Sequence, residues 1–417
     1  MLAETPKAPP RTPTVNEVEF RSLYEKSSHT TITDDGWELV ITRYQPTPQE
    51  FPQPLLGEVL LLLHGFSQNR HAWTSGEFVK NLLFFGLDVH ILELRGHGKS
   101  SVALQRQGHA NLGRPLPADI DYQWDIDSYF LSDLPAGIAA IKRITQRERI
   151  FFCGHSMGGM LGYGYAGLHD DLEGLITIGA AADLGRGFPL LRAFAFTSPM
   201  LSAGVDVAFG SFNLQQRFAH AGRSLISKGL SVVKRRSAPT PAEPPPIPLQ
   251  FQYVPVDTWL KWVEKLLGQA QRHPIYEKIN SRVNWLTNPS RSGAEDIRWL
   301  LRWGGEREPR KVLEQFAKWI RRGELRCYRT GYDFKKGFPN IKLPMAIIFG
   351  DMDPLASIES TRAIYRGAQS EYLLWRPVKG NSHIELTMGH DIRQICFDIK
   401  NLIEYAKVQR TDVAADI

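Results

Sequence analysis

The segment FFCGHSMGGM, residues 151–160, holds a serine in the pattern G-x-S-x-G, with Gly154, Ser156 and Gly158 in the fixed places. An apolar run precedes it and a helical pattern follows, and the glycines permit a strand-to-helix turn too tight for side chains. A serine held there is exposed at a strand end, beside helix-start amides that favour an anion. Its hydroxyl becomes a working nucleophile when a base takes its proton, an acid orients the base and donors receive the oxyanion.

Candidates exist for each part. LLLHGFSQN (61–69) leaves an apolar run through His64 and Gly65, and Gly65 lets the backbone swing back over the sheet edge. The amides of Phe66 and Met157 are therefore the expected oxyanion donors, and loss of one such donor usually costs on the order of 100 to 1,000-fold in rate. NSHIELTMGHD (381–391) carries two histidines. His383 lies in the loop after the apolar run EYLLWR (371–376) and is the expected base, whereas His390 opens the last helix and reads as a cap or an exposed side chain. Asp351 and Asp353 both follow PMAIIFG (344–350), at the edge where a parallel sheet carries its functional groups, and only one can orient the imidazole. Asp127 and Asp133 read as helix-entry residues, and His155 as structural. A metal site built from Asp351, Asp353, His383 and His390 lacks the compact ligand spacing such sites show, so neither metal nor organic cofactor is expected.

The elements that must position these residues follow from hydrophobic periodicity. WELVITRY (37–44) alternates, and EVLLLLH (58–64), DVHILEL (88–94), RIFFCG (149–154) and GLITIGA (174–180) are short apolar runs suited to buried parallel strands. Helical patterns, FVKNLLFFG (78–86) and SDLPAGIAAIKRI (132–144), lie between them, which gives an α/β class with a mostly parallel central sheet flanked by helices. The alternation stops near residue 185 and resumes with PMAIIFG. In between come amphipathic stretches at 257–267, 294–303 and 309–320, a Pro-rich loop at 238–249 and six of the ten tryptophans. The expected organisation is an N-terminal extension over 1–28, a core of 29–184 and 341–417, and a large inserted helical cap over 185–340.

In HGF (64–66), RGHGKS (95–100), GHSMGG (154–159) and an acid and a histidine following the serine in that order, the chain resembles the α/β-hydrolase superfamily. Within it, SDLPAGI (132–138), GDMDPLA (350–356) and SHIEL (382–386) are similar to the acid-lipase and lipid-ester hydrolase group. The resemblance covers nearly all of the sheet-forming sequence and none of the cap. It implies the α/β-hydrolase fold, a Ser156, Asp353, His383 triad and no cofactor, because Asp353 matches the acidic position three residues after the strand's glycine. Asp351 then reads as a turn residue.

The function expected is hydrolysis of a small-molecule or lipid-like carboxylic ester through an acyl-enzyme. An acyltransferase with the same triad and a non-catalytic binding protein of this fold are the alternatives. A serine at the elbow argues against epoxide or halide chemistry that needs an aspartate nucleophile. The apolar stretch 187–212 opens the cap, and its Phe194 and Phe196 are candidate acyl-pocket residues.

Composition sets the surroundings. A chain of 417 residues, 42% hydrophobic and 23% charged, suits one large domain with an insertion or two domains. Three scattered cysteines, Cys153, Cys327 and Cys396, indicate neither a disulfide framework nor a thiolate zinc site and read as reduced thiols in a cytoplasmic protein. There is no signal-type apolar run at the start and no stretch of about 18 apolar residues, so neither secretion nor spanning is expected. The net charge of +6 is dispersed, which disfavours nucleic acid and leaves room for weak attraction of the cap to a lipid surface.

Overall fold

The apolar runs become strands of one sheet because both of its faces are covered. In chain order these are β1 (Tyr24–Ile32), β2 (Glu38–Pro46), β3 (Val59–Leu63), β4 (Asp88–Glu93), β5 (Ile150–His155), β6 (Leu172–Ile178), β9 (Met345–Gly350) and β10 (Leu373–Val378). A separate two-stranded pair joins β7 (Tyr253–Val254) to β8 (Glu308–Pro309). The computed structural model describes residues 24–47, 56–189, 191–193, 195–197, 252–270, 287–288 and 290–415.

The spatial order is β1-β2-β4-β3-β5-β6-β9-β10. β2 runs antiparallel to both β1 and β4, and the six strands from β4 to β10 are parallel. The chain leaves β3 for β4 on one side and then crosses to β5 on the other, so the order reverses at β3. In open α/β sheets the crevice beyond the strand ends at such a reversal is where ligands bind.

The helices of seven or more residues among the described ones are α1 (Phe78–Phe84), α2 (Val102–Leu112), α3 (Leu134–Thr145), α4 (Met157–Ala166), α5 (Val256–Ala270), α6 (Ala294–Trp303), α7 (Arg310–Arg322), α8 (Ile358–Gly367) and α9 (Ile392–Ala415), and a short one covers Ile126–Ser128. Alternate strand residues feed two cores. Leu61, Leu63, Phe152, Leu175 and Ile347 meet Ile138 and Ile141 of α3, Leu161 of α4 and Trp319 of α7. Leu60, Leu62, Phe151, Ile176 and Ile348 meet Phe78 and Leu82 of α1 and Ile395, Ile399 and Leu402 of α9. Each fully buried side chain of this size contributes about 1.5–3 kcal/mol. Among the described residues between Ile178 and Met345, none adds a strand to the large sheet. Here α5 and α6 pack together. They leave Trp259, Trp262, Trp299 and Trp303 between 48% and 60% exposed.

Three expectations are corrected. The extension over 1–28 is too long, because β1 starts at Tyr24 and pairs with β2 along its whole length. Its sequence, YEKSSHTTI, lacks an apolar face because it lies at the sheet's end and is mostly exposed. Asp127 is not a helix-entry cap either. Asp125 takes that role, accepting from Ser128 N at 3.1 Å, while buried Asp127 accepts from the amides of Tyr328 (2.7 Å) and Arg329 (2.9 Å) and from Gln315 Nε2 (2.6 Å). Asp133 makes no helix cap. It forms a fully buried ion pair with Arg95 at 2.7 Å, and the same guanidinium also meets Asp35 and Asp119. No helix among the described residues is long and apolar enough to cross a membrane.

Candidate active site

β5 delivers Ser156 in a strained conformation, φ 52° and ψ −119°. A non-glycine residue held there costs about 1–3 kcal/mol and persists only where its surroundings over-determine it. Ser156 N donates to Ile178 O at 2.8 Å, and Ser156 O accepts from Met160 N at 3.1 Å. Gly154 and Gly158 allow the close approach. A Cβ on Gly154 would stand 2.5 Å from the Gly158 backbone, and one on Gly158 would stand 2.6 Å from the carbonyl oxygens of Leu63 and His64.

Strand register brings the second loop to this turn. Leu63 of β3 is paired with Gly154 of β5, so His64, Gly65 and Phe66 leave the sheet directly beside Ser156. A Cβ on Gly65 would lie 2.9 Å from Ser156 Cβ, which shows how closely that backbone passes the hydroxyl. Met157 follows Ser156 in the chain and Phe66 follows Gly65, and neither amide has an acceptor among the described residues. His64 is buried and holds the strand end instead: its Nε2 accepts from Leu94 N at 3.2 Å, and Nδ1 donates to Gly65 O at 2.9 Å. Burial, with His97 nearby, keeps its ring neutral by pushing its pKa far down.

The acid and the histidine arrive from β9 and β10. Ser156 Oγ lies 2.9 Å from His383 Nε2, and His383 Nδ1 lies 2.7 Å from Asp353 Oδ2. Asp353 Oδ1 accepts from the amides of Leu355 (2.8 Å) and Ala356 (3.1 Å), which orients the carboxylate and leaves Oδ2 for the imidazole. A ring that donates from Nδ1 to a carboxylate turns its Nε2 lone pair toward the serine hydroxyl. Asp353 and His383 are both buried. Asp351 is exposed and accepts from Gly380 N at 2.7 Å, tying the acid loop to the histidine loop. His390 is exposed, and its amide donates to Arg291 O at 2.8 Å.

Some contributors carry little signal in the sequence. Gln68 Oε1 accepts from Gly65 N at 3.0 Å and stands 2.9 Å from His155 Nδ1. The other nitrogen of His155 is 3.3 Å from His383 O. His155 thus braces both loops from beneath, and burial, with His383 close by, pushes its pKa down to about 3. Glu308 also reaches the loop that carries Phe66, through Ser67 N at 2.5 Å, and nothing near it in sequence announces this. Of the two candidate acyl-pocket residues, Phe194 lies outside the described residues, and Phe196 is 57% exposed. Next to Phe196, Ala195 packs on Ala317 and Ile320 of α7.

An eight-stranded, mostly parallel sheet with a serine elbow after β5 is the architecture of one large family. Residues 58–383 match the family described as the alpha/beta hydrolase fold, and the chain belongs to that family. Among curated proteins it is 32% identical over 115 residues to a fluoroacetate dehalogenase of a Burkholderia sp, covering 28% of this chain and 31% of that one. It is 23% identical over 163 residues to a tear acid lipase-like protein of Mesocricetus auratus, covering 39% of this chain and 40% of that one. The matches thus span less than half the length of either relative. A solved structure of DcsB in complex with its substrate analogue superposes with TM-score 0.50 at 11% identity, covering 92% of this chain and 100% of the other, and shares the fold.

Proposed function

We propose that this protein is a serine hydrolase that cleaves carboxylic esters. The observation that carries the reading is the line Ser156 Oγ, His383 Nε2, His383 Nδ1, Asp353 Oδ2, with steps of 2.9 and 2.7 Å at the mouth of the sheet. His383 accepts the Ser156 proton as Oγ attacks the ester carbonyl, and the carbonyl oxygen becomes an oxyanion facing the amides of Phe66 and Met157. The tetrahedral centre collapses, the C–O bond to the alcohol breaks, and the alcohol leaves with the proton from His383. Water attacks the acyl-enzyme by the same route and releases the acid. Asp353 stays ionised throughout and steadies the imidazolium.

Residues 185–340 act as the cap in this proposal and select the acyl group. Phe196 and its neighbours supply an apolar wall, and the exposed tryptophans of α5 and α6 support weak contact with a lipid surface, since amphipathic rings favour such boundaries. The test is a series of p-nitrophenyl esters from acetate to palmitate, run with wild type and Ser156→Ala, alongside labelling by a fluorophosphonate probe. Turnover and labelling in wild type and neither in Ser156→Ala are expected. Labelling of the variant at the wild-type rate would remove Ser156 from the mechanism.

A further inference from the structure

The loop that carries Phe66 is gripped from outside the sheet by residues 303–308. Ser67 N donates to Glu308 Oε1 at 2.5 Å, Ser67 Oγ donates to Glu306 O at 2.6 Å, and Glu306 N donates back to Ser67 O at 2.9 Å. Asn69 Nδ2 donates to Trp303 O (2.8 Å) and to Glu306 Oε1 (2.6 Å). Ser67 sits at φ 55°, another backbone state that needs such bracing. On the other side of Phe66, Gly65 N is held by Gln68. The Phe66 ring meets Phe316 of α7 edge-on, with centroids 5.6 Å apart. Phe66 is thus fixed at both flanking residues and at its side chain.

Glu308 is itself held without any contact to solvent. Its Oε1 lies 3.0 Å from His97 Nε2, and its Oε2 accepts from Tyr129 OH at 3.1 Å. The other nitrogen of His97 lies 2.8 Å from Arg95 O. Both nitrogens therefore face acceptors, a carbonyl and a carboxylate, and only an imidazolium can donate to both. The carboxylate that grips Ser67 is one half of a buried ion pair.

We propose that Glu308, balanced by His97, is a positioning residue for the oxyanion-binding amide of Phe66, which makes transition-state stabilisation depend on a contact supplied from between β6 and β9. This inference rests on the ester-hydrolase reading. If Glu308 moved away, the Ser67 amide would lose its acceptor, the strained turn would relax, and Phe66 N would no longer hold its direction beside Ser156. Ground-state binding would be spared, because the Glu308 carboxylate is fully buried and its partners are Ser67 N, His97 and Tyr129, with no hydrogen bond to Ser156 among the described residues.

The experiment compares wild type, Glu308→Leu and the double variant His97→Leu/Glu308→Leu on p-nitrophenyl butyrate. It also compares inhibition by an alkyl trifluoromethyl ketone, which forms a tetrahedral oxyanion on the serine, with the matching methyl ketone. Neither variant leaves an acceptor for the Ser67 amide at position 308, and the double variant also leaves no buried charge, so a folded protein is available even if the single change leaves His97 uncompensated. Loss of one well-aimed donor costs on the order of 100 to 1,000-fold. A misaimed donor should therefore lower kcat by about 10- to 100-fold with KM within about twofold, and weaken the trifluoromethyl ketone by a similar factor while sparing the methyl ketone. Folded variants that keep wild-type kcat and trifluoromethyl ketone affinity would overturn the positioning role, as would a loss confined to KM. A wild type inert to both p-nitrophenyl esters and fluorophosphonate overturns the ester reading itself, and the two failures are thereby told apart.

Discussion

The two sides of the site are held by different kinds of chain. Ser156, Asp353 and His383 stand on loops at the ends of β5, β9 and β10, and their nearest supports are short-range. Asp353 is fixed by the amides two and three residues on, and Ser382 N by Glu385 at 2.9 Å. The proposed oxyanion loop draws support from a carboxylate 241 positions away. In the proposed mechanism the proton-transfer side is thus a property of the sheet and its turns, whereas the proposed anion-binding side is shared with the segment inserted between β6 and β9. The described residues of that segment also touch the histidine loop, since Asn288 N donates to Glu385 Oε1 at 2.6 Å, but none of them hydrogen-bonds to the imidazole.

The contrast can be broken most severely on the proton-transfer side. His383→Ala should lower kcat by about 10⁴-fold or more, while His390→Ala stays within about tenfold, because only one imidazole can take the Ser156 proton. Steady-state kinetics of the two variants check this, and the reverse ranking would put the base on the wrong side of the loop. The next largest effect falls on stability. Arg95→Met leaves Asp133 buried without its partner, and breaking such a buried pair costs about 3–5 kcal/mol, to be read from urea unfolding midpoints.

A smaller effect sharpens the comparison through pH. Burial lowers the pKa of His97, but the charge and hydrogen bond of Glu308, with Glu306 nearby, outweigh burial and raise it to about 9. The folded protein therefore binds this proton more tightly than the unfolded chain, whose histidine titrates near 6.5. The stabilisation is complete below about pH 6.5 and is lost as pH rises through about 9. Unfolding free energy measured between these limits should fall with pH in wild type and fall less steeply in His97→Gln. An unchanged slope would mean that His97 is neutral in the folded state.

The smallest expected effect belongs to the cap. Phe196→Ala should change the kcat/KM ratio between long and short p-nitrophenyl esters by about tenfold, since even one methylene of pocket contact is worth about 1–3 kcal/mol. Fluorophosphonate labelling of Ser156 should be unaltered. Equal slowing of all esters would make Phe196 a packing residue.

The sheet was legible because its inner strands are apolar on both faces, and α6 was legible to the residue because AEDIRWLLRW holds its apolar side chains at helical spacing. The elbow could be read because a tight turn between β5 and α4 demands glycine at set positions, a demand that sequence records directly. β1 was missed because an end strand needs little apolar surface. Asp127 and Asp133 misled because a carboxylate ahead of a helix resembles a cap whether it serves its own helix or a distant partner such as Arg95 or the Tyr328 amide. Glu308 and Gln68 carry no local mark at all. Their roles arise from hydrogen bonds closed by the fold, and no spacing rule links residue 67 to residue 308.

The polarity of β1 has a consequence for the protein in a crowded solution. Among the described residues β1 pairs with β2 alone, so its outer rim offers a row of backbone donors and acceptors to any passing strand. Glu25, Lys26, Ser27 and Ser28 stand exposed along it. A foreign strand adding there would have to strip water from these charged and hydroxyl groups with little apolar surface gained in return, and charged edge residues are a recognised guard against such pairing. The side chains that made β1 hard to see in the sequence are those that keep this rim from templating aggregation.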